Sequence, residues 1–176
     1  TPSPIDPATE GSTQNLSYDV TATSNGPDTY ALVGSSTADN NLSAPSNFTD
    51  PSVTLGGTTV ANAATAGDST ITVPFDGTSG GGVNDIANGD TIVLDPVGNS
   101  NGPEVASVTS VSENPGSNTA VITVSSGLSN GFSVGTIIGE RKAETQAVTT
   151  GTISSGASGT HDIITNAASQ ADPAQN

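Results

Sequence analysis

Between residues 53 and 139, short apolar and β-branched runs recur at 53–55, 69–75, 91–94, 105–111, 120–124 and 134–138. Every gap between them carries glycine or proline, as in "DPVGNSNGPE", "ENPGSN" and "SSGLSNG". Runs of that length suit strands, because a helix needs ten or more periodic residues to bury a face. In the run 69–75, Ile71, Val73 and Phe75 alternate with Thr70, Thr72 and Pro74, the period of a strand with one face buried. Thr, Ser, Gly, Asn and Val dominate the chain, and Thr and Val favour strands over helices. The expected class is all-β, and this middle region is expected to form a small antiparallel module, barrel-like or sandwich-like.

The first run is different in its surroundings. Leu16, Tyr18, Val20 and Ala22 alternate with Ser17, Asp19, Thr21 and Thr23, and a second run starts at Tyr30. Asn25-Gly26-Pro27-Asp28 stands between them, so a hairpin of 14–24 with 29–37 is expected. Residues 1–11 are proline-rich with one large apolar residue, Ile5, and read as an extended arm. Residues 38–52 read as a polar loop anchored by Phe48, and 160–169 as a late strand.

Composition limits both core and partners. Only 31% of the 176 residues are hydrophobic and 3% aromatic, so any core is thin. Cysteine is absent, which excludes disulfide staples and thiolate metal sites. Seventeen acids face two bases, Arg141 and Lys142, for a net charge of −15. Such a chain repels phosphate backbones and anionic lipid heads, so nucleic acid and membrane surfaces are not expected partners. No apolar run approaches the length of a membrane span. Acidity of this kind suits a halophile's surface or a lysine-poor secreted protein, and the Thr/Ser/Gly/Asn richness favours the second.

Tyr18-Asp19-Val20-Thr21-Ala22-Thr23-Ser24-Asn25-Gly26-Pro27-Asp28 resembles the opening strand of the DUF11 family, immunoglobulin-like β-sandwich modules of bacterial and archaeal surface proteins. Gly159-Thr160, Asn166, Ala168, Asp172-Pro173 and Asn176 resemble its closing segment. The middle of the chain departs from the family pattern. The resemblance implies an extracellular location and an immunoglobulin-like host of residues 12–52 and 140–176, with a small β module, 53–139, inserted into it. The host then has four or five strands where such a sandwich has about seven. A sheet short of strands has an open edge, which attracts a strand from another chain.

The expectation is therefore a structural subunit of a pilus-like extracellular filament, a homopolymer joined by β-strand donation, without enzymatic activity. Ile5, Leu16, Tyr18, Val20 and Ala22 are the candidates for the donated face. The alternatives are a cell-surface adhesin or stalk module that binds glycans, and an S-layer domain that relies on calcium. Calcium takes six to eight oxygens, and the Asp- and Asn-rich turns holding Asp76, Asp85, Asp90 and Asp95 are the candidate ligands. None follows an EF-hand order, and Asp, Asn and Gly are also ordinary turn residues. No other cofactor is expected. The one histidine, His161, has no Gly-x-Ser-x-Gly elbow to serve, so a hydrolase is not expected. Lys142, the single lysine, is a candidate for an isopeptide bond to Asn166 assisted by Glu140 or Glu144. Asn-x-Ser/Thr sequons occur at Asn15, Asn41 and Asn47, of which Asn41 and Asn47 fall in the predicted loop and are the candidate glycan acceptors.

Overall fold

The computed structural model describes residues 9–13, 15–36, 52–77, 80, 82–98, 102–149, 152–156 and 163–169. Among them the chain is all-β. The strands are β1 (Asn15–Thr23), β2 (Asp28–Ser36), β3 (Ser52–Leu55), β4 (Gly57–Thr59), β5 (Thr70–Pro74), β6 (Gly82–Val83), β7 (Ile86–Ala87), β8 (Thr91–Leu94), β9 (Glu104–Asn114), β10 (Thr119–Val124), β11 (Ile137–Thr149) and β12 (Ile163–Ser169). A single 3-10 turn, Pro115–Ser117, joins β9 to β10, and Asn118 closes it in the left-handed region at φ 54°. None of the described residues forms a helix long and apolar enough to cross a membrane.

The chain divides into two compact units, one of Thr1–Val20, Thr29–Val53 and Ala143–Asn176, the other of Thr21–Asp28 and Thr54–Lys142. In the second unit the strand order is β11-β8-β9-β10-β5, every pair antiparallel. β4 pairs β11 through Ile137↔Thr59, Ile138↔Thr58 and Gly139↔Gly57. Beyond β4 the chain runs on to β5: Val60 N donates to Thr136 O at 2.9 Å and Ala61 N to Thr72 O at 2.8 Å. The alternation seen in the sequence becomes burial. Ile71 and Val73 of β5, Ile92 and Leu94 of β8, Ala120, Ile122 and Val124 of β10 and Ile138 of β11 join one apolar cluster, closed by Val60, Leu128 and Phe132. Each large aliphatic side chain removed from water there contributes about 1.5–3 kcal/mol. The β6–β7 hairpin turns through Asn84 and Asp85, both at positive φ (47° and 64°), the geometry of a two-residue type I′ loop.

In the first unit β2 lies between β12 and β3 in a three-stranded sheet. β12 runs antiparallel to β2 from Ile163↔Ser36 to Ser169↔Tyr30. Leu32 and Val53 are buried. The end of the proline-rich segment is tied down: Gly11 N donates to Ile153 O at 2.9 Å, and Gly156 N donates to Glu10 Oε1 at 2.7 Å.

Two expectations are corrected. Within the segments 14–24 and 29–37 expected to pair, Asn15–Thr23 and Asp28–Ser36 are strands but not a hairpin, since β1 lies beside β11 whereas β2 lies between β12 and β3. The turn chemistry of Asn25-Gly26-Pro27 sets where the chain bends, and the partners are chosen by packing over long range. The run 134–138 is a strand only from Ile137 onward, and Val134 is 65% exposed. Gly135, at φ 85°, turns the chain just before the strand starts.

Candidate functional site

β1, the strand expected to be donated, is an edge strand of its sheet. Leu16, Tyr18 and Ala22 are half-buried, and Ser17, Asp19, Thr21 and Thr23 are exposed, so the alternation is that of a one-sided strand. The position of Val20 is on β1, and its side chain lies outside the description. Two side-chain pairs hold β1 to β11: Thr145 Oγ1 donates to Asp19 Oδ1 at 2.8 Å, and Thr149 Oγ1 to Asn15 Oδ1 at 2.8 Å. Ile5 lies outside the described residues.

Where β1 ends, the backbones of three segments come into close contact. Ser24 N donates to Glu140 O at 2.9 Å, and Glu140 N donates to Gly56 O at 2.9 Å. Both groups of Glu140 point to the same side of β11, so one side of that strand is served first by β1 and then by β4. The Ser24 hydroxyl stitches the handover, donating to Gly56 O at 2.7 Å and accepting from Glu140 N at 3.0 Å. The turn after Ser24 then crosses directly over the paired glycines Gly57 and Gly139. A Cβ at Gly57 would stand 2.5 Å from the Gly26 carbonyl carbon, and one at Gly139 would fall on the Ser24 carbonyl oxygen. Neither glycine has a positive φ, so close approach alone requires them.

The junction buries a carboxylate. Glu140 is 1% exposed, and its Oε2 accepts from Gly56 N at 2.7 Å. Its Oε1 accepts no hydrogen bond and lies 3.4 Å from Lys142 Nζ. Lys142 Nζ in turn donates to Thr54 O at 2.7 Å. Burial, helped by the negative charge of Asp90, holds the Glu140 carboxyl above its usual value, while the Gly56 N–H and Lys142 pull the other way. The sequence alone gave no sign that Glu140 is buried. The neighbouring "IIG" was the available signal, because a glycine inside a strand marks a close approach. Lys142 and Glu140 are brought together, as the isopeptide idea needs, but Asn166 is described only by its backbone, opposite Val33.

The four calcium candidates come from separate stretches of the chain, and Asp76 reaches the turn that holds Asp85. Asp76 Oδ2 accepts from Asn84 N at 2.6 Å and Asp90 Oδ2 from Ala87 N at 2.7 Å, so both carboxylates are fastening turns. Asp85 is exposed in the type I′ loop, and Asp95 is buried at φ 53°. No group of three or more metal-ligating side chains occurs among the described residues. Replacing Asp90 with alanine is expected to cost about 1 kcal/mol, by loss of that turn bond, equally in calcium and in chelator. Thermal unfolding in both buffers measures it. Asn41, Asn47 and His161 lie outside the described residues, and Asn15 is exposed at the start of β1. No family model matches the chain, and no curated protein and no solved structure is found to be similar to it.

Proposed function

We propose that the chain is a structural subunit of an extracellular, pilus-like filament, polymerising by β-strand donation between identical copies and carrying no enzymatic activity. The observation that carries this reading is the first unit's small sheet. β2 is flanked by β12 and β3, and among the described residues neither outer strand has a further neighbour. A three-stranded sheet with two open edges is marginal by itself and gains most from an added strand. β1 is the donor this reading selects, being an edge strand with one half-buried face. The resemblance of residues 18–28 to surface β-sandwich modules favours the same setting. In this reading residues 12–52 and 140–176 are the immunoglobulin-like host and 53–139 a barrel-like insert, in which residues 57–61 reach from β11 to β5; the compact units divide the chain differently, with Thr21–Asp28 and residues 140–142 in the second.

The test is negative-stain electron microscopy of the purified chain with and without residues 1–22. The full chain is expected to form filaments that survive mild detergent and dissociate on boiling, and the truncated chain to stay monomeric. Full-length chain that remains globular at all concentrations would sink the reading.

A further inference from the structure

The second unit has a face without acids, built from β5, β10 and β9. Cross-strand partners share a face, so the register defines it. Three rows cross β5, β10 and β9: Thr70, Thr123 and Ser110; Thr72, Val121 and Ser112; Pro74, Thr119 and Asn114. The inward neighbours Ile71, Val73, Ala120 and Ile122 are fully buried, so these rows point outward. The face continues along the start of β9 through Ser107 and the exposed Val105 and reaches β8 only at Thr91, where Arg141 borders it; Val93, opposite Val105, is buried. In a chain with 17 acids, none of these positions is acidic. The two acids of β9, Glu104 and Glu113, stand opposite the inward residues Leu94 and Ala120, and their carboxylates hold loop N–H groups of Ser129, Asn130 and Gly80.

We propose that this hydroxyl-lined face is a contact between two copies of the chain, packed face to face. Two copies at −15 each repel wherever acids meet, and this is a place where they can approach without facing acids. A hydroxyl both donates and accepts, so a Ser/Thr face is complementary to itself, which a charged face never is. The face has no aromatic ring on which a sugar ring could stack, which argues against a glycan occupant. Three strands about 4.8 Å apart present roughly 300 Å², under half of the ~800 Å² per partner of a standard interface. The contact is accordingly a weak lateral one. The same patch on both copies gives a two-fold pair, so it joins filaments side by side and does not extend them. It shares with the filament reading the premise that the partner is a second copy, and it does not depend on strand donation.

Sedimentation velocity over a concentration series tests it, with two double variants. Thr72→Glu with Ser112→Glu places carboxylates on both sides of Val121. Thr72→Lys with Ser112→Lys makes the same insertion while lowering the net negative charge. Wild type is expected to pair reversibly, and both variants to lose pairing at least tenfold. Pairing strengthened by Lys and weakened by Glu would mean general electrostatics and overturn the face. So would pairing unchanged in both variants, or a wild type that never pairs. A second measurement needs no charged variant. The chain has no cysteine, so Val121→Cys, at the centre of the rows where a two-fold axis brings a residue against its own copy, can form a disulfide only between copies. Oxidation is expected to link Val121→Cys and to leave Asn88→Cys, exposed away from these rows, unlinked. Equal linking at both positions overturns the proposal. Filaments that persist while pairing is absent would refute this face and leave the filament reading standing; pairing without filaments would do the reverse.

Discussion

Gly139→Ala is expected to destabilise the second unit by about 4 kcal/mol or to prevent its folding, a larger effect than a methyl group usually has. The new Cβ would land on the carbonyl oxygen of Ser24, and it would also meet the Ser24 hydroxyl at 3.0 Å. A flexible side chain could move aside. A backbone carbonyl cannot, because Ser24 is held from both sides: its N donates to Glu140 O, and its hydroxyl bridges Gly56 O and Glu140 N. Relief would require lifting the turn off β11 and β4, which breaks those bonds together. Gly57→Ala is expected to act alike, with its Cβ 2.5 Å from Gly26, and the pair to be less than additive because one displaced turn relieves both. Gly26→Ala is the control. It lies in the same turn with nothing within 4 Å of its would-be Cβ, and is expected to change stability by no more than about 1 kcal/mol. Urea unfolding of the three variants decides. A Gly139→Ala protein as stable as wild type would mean that the turn does not lie on the paired glycines.

The same junction shows what the sequence could and could not say. The run 91–94 is the strand Thr91–Leu94, and 120–124 falls within Thr119–Val124, because in both the apolar residues and the flanking turn residues agree. Asn25-Gly26 marked a bend at the right place. It could not give the partners of β1 and β2, which are set by pairings such as Ser24 with Glu140, 116 residues apart. Gly57 and Gly139 were legible only as glycines. That they face each other across a strand pair, under a crossing turn, needs the register, which no local pattern contains. Val134 misled because a valine beside Gly135 reads as strand, while the backbone there turns. The acid-free face was hidden for a similar reason. Its hydroxyls are scattered over four runs of sequence and become a surface only once β5, β10, β9 and β8 are laid side by side.

Glu140→Ala is expected to cost about 2–4 kcal/mol, and Glu140→Gln to cost little while removing a pH dependence. Alanine leaves the Gly56 N–H buried without its 2.7 Å acceptor, opens a void beside β4 and strips Lys142 of its ion pair. Glutamine keeps an oxygen for Gly56 and carries no charge. The sign of the pH effect follows from the raised carboxyl. A group whose proton is held more tightly in the folded state stabilises the fold most below its unfolded value, about 4.3 for Glu, and that contribution is lost as pH rises through the folded value. Wild type is therefore expected to lose stability relative to Glu140→Gln as pH is raised from about 4 towards 8. Using the difference between the two proteins removes the general repulsion among the other acids, which both share. Urea unfolding at several pH values across that range gives the difference directly. A gap that stays constant with pH would mean that Glu140 titrates alike in the folded and unfolded chain, its burial offset by the Gly56 N–H and Lys142.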